Sequence, residues 1–199
     1  MSKGQIINGF MENSLQSLNY PLNTVNSYGF AYSNIPTLNF TNQQGLTTIK
    51  EYGFYNANIG SMDLSNVTYI GGDYVFGYLK NPEEIYLPSL SNSSGSYSVY
   101  NSNVKTLIYG PNCKSTAHSQ FSNAINLEEI YFLRPTMVSG YNSKILGGAT
   151  HFVSDGARDG KIYVPDSLVE SYKADTVWSN WADLIYPLSE APKQFNIEE

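Results

Sequence analysis

Apolar and polar residues alternate in short units along this chain, and each unit has the form x-apolar-x-apolar. In Glu129-Ile130-Tyr131-Phe132, for example, Ile130 and Phe132 alternate with Glu129 and Tyr131. A period of two sends one set of side chains into a core and the other set away from it, as in a β-strand. Because so short a strand is not stable alone, the pattern predicts neighbouring strands of the same kind.

The unit recurs along most of the chain. It begins at Ser17, Thr37, Ser61, Glu84, Thr106, Glu129 and Lys161, so the starts are 20, 24, 23, 22, 23 and 32 residues apart. A longer match pairs Tyr28-Gly29-Phe30 with Tyr52-Gly53-Phe54, and Asn34-Ile35 with Asn58-Ile59, without a gap. A repeat of this length predicts a solenoid, in which each coil buries its apolar face against its neighbours.

Two segments carry a family resemblance. Residues 120–132 resemble one unit of the BspA-like leucine-rich repeats, with the recurring aromatic, small, leucine and alternating apolar positions at Phe121, Ala124, Leu127, Ile130 and Phe132. Residues 161–190 resemble the terminal cap of that family, with Ile-Tyr-Val-Pro-Asp-Ser-Leu-Val-Glu-Ser-Tyr-Lys followed by Trp-Ser-Asn-Trp-Ala-Asp, whereas residues 137–160 fit the repeat poorly. The predicted fold is a right-handed leucine-rich-repeat solenoid with a parallel β-sheet of about eight short strands, convex loops and turns, and one C-terminal capping helix.

The repeat predicts a single elongated domain. Residues 1–21 form a degenerate first unit or cap, residues 22–165 the repeats, residues 166–187 a capping helix with a closing strand, and residues 188–199 a polar, mobile tail. Asp166 or Ser167 is the expected helix cap, and Trp178 and Trp181 are expected to cover the apolar end of the solenoid. The last two strand units start 32 residues apart, and several glycine-containing residue pairs lie between Met137 and Gly160. Both features predict a protruding loop there.

Composition excludes several functional classes. Only 14% of the residues are charged, and the net charge of −6 with a pI near 4.9 disfavours nucleic acid as a partner. No apolar run approaches the length of a membrane helix, and Met1-Ser2-Lys3-Gly4 leads into no signal-peptide segment, so neither membrane insertion nor export by that route is expected.

Few residues are suited to catalysis or metal binding. Cys113, the single cysteine, and His118 could form a thiol and base, but they lack an orienting third group, and a small apolar repeat position explains Cys113 equally well. His151, Asp155 and Asp159 share the protruding loop and are a candidate contact site, although their spacing matches no zinc or calcium motif. Phosphate-binding glycine loops are absent from the sequence. The sequence therefore predicts no enzyme activity, no cofactor and no metal.

The outward column of the predicted sheet is the candidate ligand-binding surface. Its positions are Asn19, Asn39, Asp63, Tyr86, Ile108, Tyr131, Tyr163 and Ile185. The aromatic and aliphatic part, comprising Tyr86, Ile108, Tyr131 and Tyr163, could contact sugar rings or protein side chains, because tyrosine combines a flat apolar ring with a hydroxyl. The alternative is that tyrosine and isoleucine only favour strands and stack on one another.

The predicted function is binding or adhesion. The resemblance implies this role, because BspA-like repeats occur mostly in bacterial surface proteins and in phage or prophage proteins that contact hosts, other microbes or matrix. Without an export signal, a phage virion protein such as a tail fibre or decoration protein is favoured over a bacterial cell-surface adhesin, and a purely structural virion protein is a third alternative. The expected partners are a protein or glycan on a host or bacterial surface or other virion proteins, and a homo-oligomer is compatible with the pattern.

Overall fold

The computed structural model of this protein describes residues 4–6, 17–18, 22–38 and 46–195. These residues form a parallel β-solenoid of about seven turns with one short α-helix near the C-terminal end, which confirms the predicted fold class. The strands are β1 (Gly4–Ile6), β2 (Ser17–Leu18), β3 (Leu22–Val25), β4 (Asn34–Ile35), β5 (Thr37–Leu38), β6 (Thr48–Ile49), β7 (Asn58–Ile59), β8 (Tyr69–Gly71), β9 (Glu84–Leu87), β10 (Asn92–Ser94), β11 (Thr106–Tyr109), β12 (Glu129–Phe132), β13 (Lys161–Val164) and β14 (Ile185–Pro187). Helix α1 spans Val169–Ala174, and 3-10 helices span Asp166–Leu168, Trp178–Leu184 and Leu188–Glu190.

Two five-stranded parallel sheets run along the solenoid. The first sheet has the order β1-β3-β6-β8-β10, and the second sheet has the order β14-β13-β12-β11-β9. Two further pairs, β2 with β5 and β4 with β7, are also parallel. The first sheet is an addition to the prediction, because its strands lie between the predicted strand positions, where only loops and turns were expected.

The predicted strand units are realised unevenly. Those at residues 84–87, 106–109, 129–132 and 161–164 are strands with these bounds, and Leu107 pairs with Ile85 on one side and Ile130 on the other. The units at 17–20 and 37–40 contribute only β2 and β5, and Asn19 and Asn39 lie outside the described residues. Residues 61–64 form no strand, although Leu64 is buried in the core.

The core repeats from coil to coil. Phe30, Phe54 and Phe76 stack on one another with ring centroids 5.3 and 5.8 Å apart, so one apolar column passes through three successive coils. Beside it, the amide of Asn58 donates a 2.8 Å hydrogen bond to Asn34, and that of Asn81 donates a 2.9 Å hydrogen bond to Asn58. The amides between coils are therefore satisfied by one another, as in other stacked asparagine ladders.

The region between Met137 and Gly160 is more regular than the sequence predicts. Val138, Ile145, Leu146 and Phe152 are all buried in the main core. The Phe121 N–H also donates a hydrogen bond to the Ile145 carbonyl, in the same way that earlier coils are linked. Most of the first half of this region therefore continues the solenoid, and the exposed residues 154–157 lie in its second half.

The C-terminal end of the core is covered by aromatic side chains. Trp178 and Trp181 are buried there, and Tyr172 on α1 packs with them. The predicted side-chain cap of the helix is wrong, because neither Asp166 nor Ser167 caps it; the Asp166 carboxylate instead accepts a hydrogen bond from the Ser189 N–H. The division of the chain into first unit, repeats, cap and tail stays a prediction.

The closing strand forms one residue out of the predicted register. Ile185 pairs with Ile162, and Tyr186 pairs with Tyr163. A shift of one residue reverses the faces of all side chains in a strand. Ile185 therefore belongs to the core, and its assignment to the outward column is wrong.

Candidate interaction surfaces

Eight tyrosines form a continuous surface on the turns that follow β3 and the corresponding strands. We call this surface the tyrosine face. Its first row is Tyr28, Tyr52, Tyr74 and Tyr97, and its second row is Tyr32, Tyr55, Tyr78 and Tyr100. All eight are exposed or half-buried, whereas the phenylalanines between them are buried. The face thus lies at the solvent side of the apolar column.

The first row is a stack of parallel rings. Its successive centroids are 4.7, 5.4 and 5.1 Å apart, with interplanar angles of 3°, 11° and 18°. One ring per coil gives this spacing, because neighbouring parallel strands lie about 4.8 Å apart. The faces of the two central rings, Tyr52 and Tyr74, are covered by their neighbours, so their edges and hydroxyls are what remain for contact.

The second row alternates between two positions of the turn. Tyr32 and Tyr78 lie four residues after a first-row tyrosine, whereas Tyr55 and Tyr100 lie three residues after one. Tyr55 contacts Tyr32 and Tyr78 with centroid distances of 5.6 and 5.4 Å, and Tyr100 contacts Tyr78 at 5.4 Å. Edge-to-face contacts also join the two rows, as between Tyr52 and Tyr55 at 5.4 Å.

Six of these tyrosines adopt a left-handed backbone. Their φ angles are 59° at Tyr28, 54° at Tyr52, 55° at Tyr74, 59° at Tyr97, 59° at Tyr32 and 54° at Tyr78. Residues other than glycine, asparagine and aspartate rarely adopt such angles, at a cost of about 1–3 kcal/mol each. Glycines adjoin the first row, but Gly29 and Gly53 are not the residues that carry the positive φ.

The left-handed residues arise from the hydrogen bonding of the turns. Along residues 28–33, the N–H groups of Tyr28, Phe30 and Tyr32 donate to carbonyls of the next coil, while the intervening N–H groups donate to carbonyls three residues back in their own turn. Ser119 and Asn123 hold the same two left-handed positions in a later coil, with φ of 51° and 54°. The solenoid therefore imposes this turn conformation, but it does not require tyrosine at these positions.

Four phenols of the face have a raised pKa. Partial burial, followed by the neighbouring phenols, raises the pKa of Tyr52, Tyr55 and Tyr74. The nearby phenol of Tyr78 raises the pKa of Tyr100. At physiological pH these four hydroxyls are neutral, so each can both donate and accept a hydrogen bond.

The predicted ligand-binding column lies on the outer face of the second sheet, but most of it is buried. Tyr86 is 43% exposed, whereas Ile108, Tyr131 and Tyr163 are at most 2% exposed. Tyr131 stacks on Tyr163 at 4.8 Å and donates a 2.8 Å hydrogen bond to the Glu129 carboxylate. The expectation that these residues form an open surface is wrong for three of the four, and their role in ligand binding stays a prediction.

The C-terminal segment, residues 188–195, covers that column. Leu188 and Ala191 are buried against Ile108, Tyr131, Leu133 and Tyr163, and Phe195 packs on the same cluster. The Phe195 ring meets Tyr131 edge-on at 5.5 Å, and Lys193 forms an ion pair with Glu84. The sequence predicts a mobile tail from residue 188 onward. In the structure, the first eight residues of this tail lie against the second sheet through these contacts.

The structure separates Cys113 from His118. Cys113 is fully buried in the core, where burial raises the pKa of its thiol to about 12. Its sulfur lies 3.7 Å from the Ser115 carbonyl oxygen, whereas the exposed His118 hydrogen-bonds Ser119 and packs edge-on against Tyr141. Cys113 thus fills a small apolar position of the repeat, which is the alternative explanation given above for this residue.

Of the three candidate residues in the loop, His151 and Asp159 are in contact with each other. The His151 ring nitrogen lies 2.6 Å from an Asp159 carboxylate oxygen, and this hydrogen bond lowers the pKa of Asp159, while Asp155 is exposed. Across residues 4–6, 17–18, 22–38 and 46–195, no group of three or more histidine, cysteine or acidic side chains is placed to hold a metal ion. The suggested contact role of this loop stays a prediction.

The sequence analysis missed the tyrosine face, although the sequence carries a signal for it. Tyr28-Gly29-Phe30 and Tyr52-Gly53-Phe54 align in the repeat, and Tyr74 and Tyr97 follow at spacings close to one coil. The missing information is the left-handed φ, which places these tyrosines beside the buried phenylalanine column with their rings outward. A period-of-two pattern identifies strand faces and is blind to side chains on turns.

Comparison with known families agrees with this architecture. The family model described as BspA type Leucine rich repeat region matches residues 7–132 in six copies. No curated protein matches the chain. Among the described residues, no helix is both long and apolar enough to span a membrane.

Proposed function

Because the chain belongs to the BspA-type leucine-rich repeat family, we propose that it is a protein-interaction module whose contact surface is the tyrosine face. Leucine-rich repeat domains generally mediate contacts between proteins, and BspA-type proteins are typically found at the bacterial surface or outside the cell. Fold alone does not identify a binding site. The observation that carries the proposal is the left-handed backbone of six of the eight tyrosines.

The backbone strain at Tyr32 and Tyr78 supports a functional role for these two tyrosines. Asn56, Asn101 and Asn123 hold the same turn position as Tyr32 and Tyr78, with φ between 50° and 54°. Asparagine tolerates this conformation better than tyrosine does. Tyrosine at these positions therefore carries a backbone cost that the same fold avoids in other coils, and strain of this kind is concentrated at functional sites.

The chemistry of the face favours a protein partner over a glycan. A sugar ring stacks on an exposed aromatic face, but both faces of Tyr52 and Tyr74 are covered by neighbouring rings in the first row. The face instead presents ring edges and hydroxyls at intervals of about one coil. Tyrosine is enriched at protein interfaces because it contributes contact area and a hydrogen bond at low entropic cost.

Acidic groups border the first row. The Glu51 carboxylate accepts a hydrogen bond from the Ser27 hydroxyl at 3.2 Å, and the Asp73 carboxylate accepts one from the Ser96 N–H at 2.7 Å. These carboxylates remain beside Tyr52 and Tyr74 and give that edge of the face a negative charge. A partner surface with exposed N–H donors or basic side chains complements this arrangement.

The test replaces tyrosine with the residue that the same turn uses elsewhere. The double variant Tyr32→Asn/Tyr78→Asn keeps a residue suited to the left-handed backbone and removes two exposed rings. The parent and the variant are measured against immobilised extracellular-matrix proteins and a glycan array by surface plasmon resonance. We expect the parent to bind protein, and the variant to bind the same protein at least about tenfold more weakly, or about 1.4 kcal/mol.

The matched control is Tyr86→Asn/Tyr141→Asn, which removes two exposed tyrosines that lie outside the tyrosine face. This control is expected to bind as the parent does. A loss in the control instead of the variant would favour the sequence-predicted column at Tyr86. Binding of the parent to glycans alone, or equal binding of parent and variant, contradicts the proposal.

The biological setting is a finer hypothesis. A phage virion protein is the setting that we favour, a bacterial adhesin is the alternative, and a virion protein without a ligand of its own is the structural alternative. Quantitative mass spectrometry of purified particles from a lysogen that encodes the chain, compared with the surface fraction of uninfected cells, separates the settings. Presence in particles at a fixed ratio to the coat protein supports the virion setting.

A further inference from the structure

We propose that the outer face of the second sheet is a peptide-binding groove, and that residues 188–195 of the chain itself occupy it as a displaceable internal ligand. The partner that fits is a protein segment carrying a basic residue two positions before an aromatic one. This proposal rests on a different surface from the tyrosine face, and neither depends on the other.

The cluster beneath the C-terminal segment has the make-up of a binding site. Ile108, Tyr131 and Tyr163 supply an apolar and aromatic floor, and the Glu84 and Glu129 carboxylates lie on the same side of their strands as Tyr86 and Tyr131. Aromatic anchors on a floor with charged groups at its edge are typical of surfaces that bind peptides.

The segment is held in the way that a ligand is held. It crosses the face without becoming a strand of the second sheet, and residues 188–190 form a 3-10 helix instead. Its contacts with the face are side-chain contacts: Leu188 and Ala191 on the floor, Phe195 against Tyr131, and Lys193 with Glu84. Peptides bound in grooves use such spaced anchors.

One end of the segment is fixed and the other is weakly held. The Asp166 carboxylate accepts a 3.0 Å hydrogen bond from the Ser189 N–H, which ties the start of the segment to the solenoid. At the other end, the Lys193 and Glu84 side chains are 42% and 40% exposed, so water and salt screen their attraction. Displacement from the Phe195 end can therefore proceed while the solenoid remains folded.

An open cleft of about 330 Å³ adjoins the segment. It is lined in part by Pro135, Pro165, Leu188 and Phe195. A competing segment with a larger apolar residue in place of Leu188 has room to extend into this cleft and to make contacts that residues 188–195 do not make.

The first experiment uses the unaltered chain. Hydrogen–deuterium exchange is followed by mass spectrometry for the C-terminal segment and for β12. We expect the amides of Ala191, which donates a hydrogen bond to the Leu188 carbonyl, and of residues 193–195 to exchange at least about a hundredfold faster than those of β12. Local opening needs less free energy than global unfolding. Equal protection of the two regions overturns the proposal, because the segment would then be part of the core.

The second experiment supplies the segment in trans. A fluorescein-labelled peptide with the sequence of residues 187–195 is titrated with full-length chains, and its anisotropy is measured. The variant Lys193→Ala/Phe195→Ala weakens the internal ligand, so it is expected to bind the peptide at least about tenfold more tightly than the parent does. The control variant Glu190→Ala alters an exposed residue of the same segment and is expected to match the parent.

The peptide is varied in the same way. A peptide with alanine at the positions of Lys193 and Phe195 is expected to lose most of its affinity, and adding Glu84→Lys to the protein variant is expected to weaken binding of the original peptide. The proposal fails if the folded variant, with the circular dichroism spectrum of the parent, binds neither peptide. It also fails if the parent is a stable dimer by light scattering that dissociates in the Lys193→Ala/Phe195→Ala variant, since the groove would then serve a second copy of the chain.

Discussion

The Tyr172 hydroxyl oxygen lies 2.7 Å from the backbone nitrogen of Val138 and accepts its hydrogen bond, although the two residues are 34 positions apart. The Val138 carbonyl in turn accepts a 2.8 Å hydrogen bond from the Trp178 indole. Both backbone groups of one residue in a late coil are thus satisfied by side chains from the C-terminal end. A coil that has no following coil to pair with needs substitute partners of this kind.

Tyr172→Phe is predicted to lower the free energy of unfolding by about 1–3 kcal/mol. The substitution keeps the buried ring but leaves the Val138 N–H without its acceptor in a site that water does not reach. Urea unfolding followed by circular dichroism measures the change. Tyr141→Phe is the control, because Tyr141 is 68% exposed, and it is expected to alter stability little; an equal loss in both variants contradicts the prediction.

Ile130→Ala and Tyr131→Ala are both predicted to destabilise the fold, the first by about 2–5 kcal/mol. The sequence alone places Tyr131 on the outward face and so predicts a clearly smaller loss there than at Ile130. In the structure Tyr131 is fully buried beneath the C-terminal segment and stacks on Tyr163. Tyr86→Ala, at an equivalent outward position that is largely exposed, should cost much less in the same urea measurement; similar losses at Tyr86 and Tyr131 would show that the cover does not form in solution.

Asp159→Asn is predicted to destabilise the protein in a pH-dependent way. The hydrogen bond with His151 lowers the pKa of Asp159 in the folded state, so its stabilising effect is present above the ordinary pKa of an aspartate and is lost as the pH falls through the lowered value. The difference in urea midpoint between parent and variant should therefore be visible at about pH 6 and shrink toward about pH 2. A difference that stays constant over this range contradicts the prediction.

Cys113 is predicted to resist alkylation in the folded protein. Burial raises the pKa of its thiol to about 12, and the reactive species is the thiolate. Iodoacetamide at about pH 8 should label a thiol of ordinary pKa, near 8.5, readily. We expect mass spectrometry to find Cys113 unlabelled in buffer and labelled in denaturing urea; rapid labelling without urea would show that this coil opens.

How far the sequence predicts the structure depends on where a residue lies in the coil. The positions of Ile130 and Phe132 follow from their period of two and from the repeat, and both are in the core. The burial of Tyr131 could not be predicted, because its cover comes from a polar segment more than fifty positions away whose composition suggests a mobile tail. The register of Ile185 failed for a smaller reason: the last interval is one residue longer than the repeat suggested, and one residue exchanges the two faces of a strand.

At the tyrosine face, too, the sequence predicts some features and not others. The recurrence of tyrosine at Tyr28, Tyr52, Tyr74 and Tyr97 is visible in the sequence. Their left-handed φ is a property of how successive turns share their hydrogen bonds, and no local propensity indicates it, since tyrosine disfavours that region. Sequence patterns identify residues that obey local preferences more readily than residues that violate them.

The alternation within the second row limits how the solenoid could change its length during evolution. Tyr32 and Tyr78 share one turn position, and Tyr55 and Tyr100 share the other, so the surface repeats every two coils rather than every coil. Duplication or loss of a single coil would place two turns of the same kind side by side. The ring contacts between tyrosines at the two different turn positions would then be lost. An insertion or deletion that preserves the surface must therefore comprise a pair of coils, and relatives that share it should differ in length by such pairs.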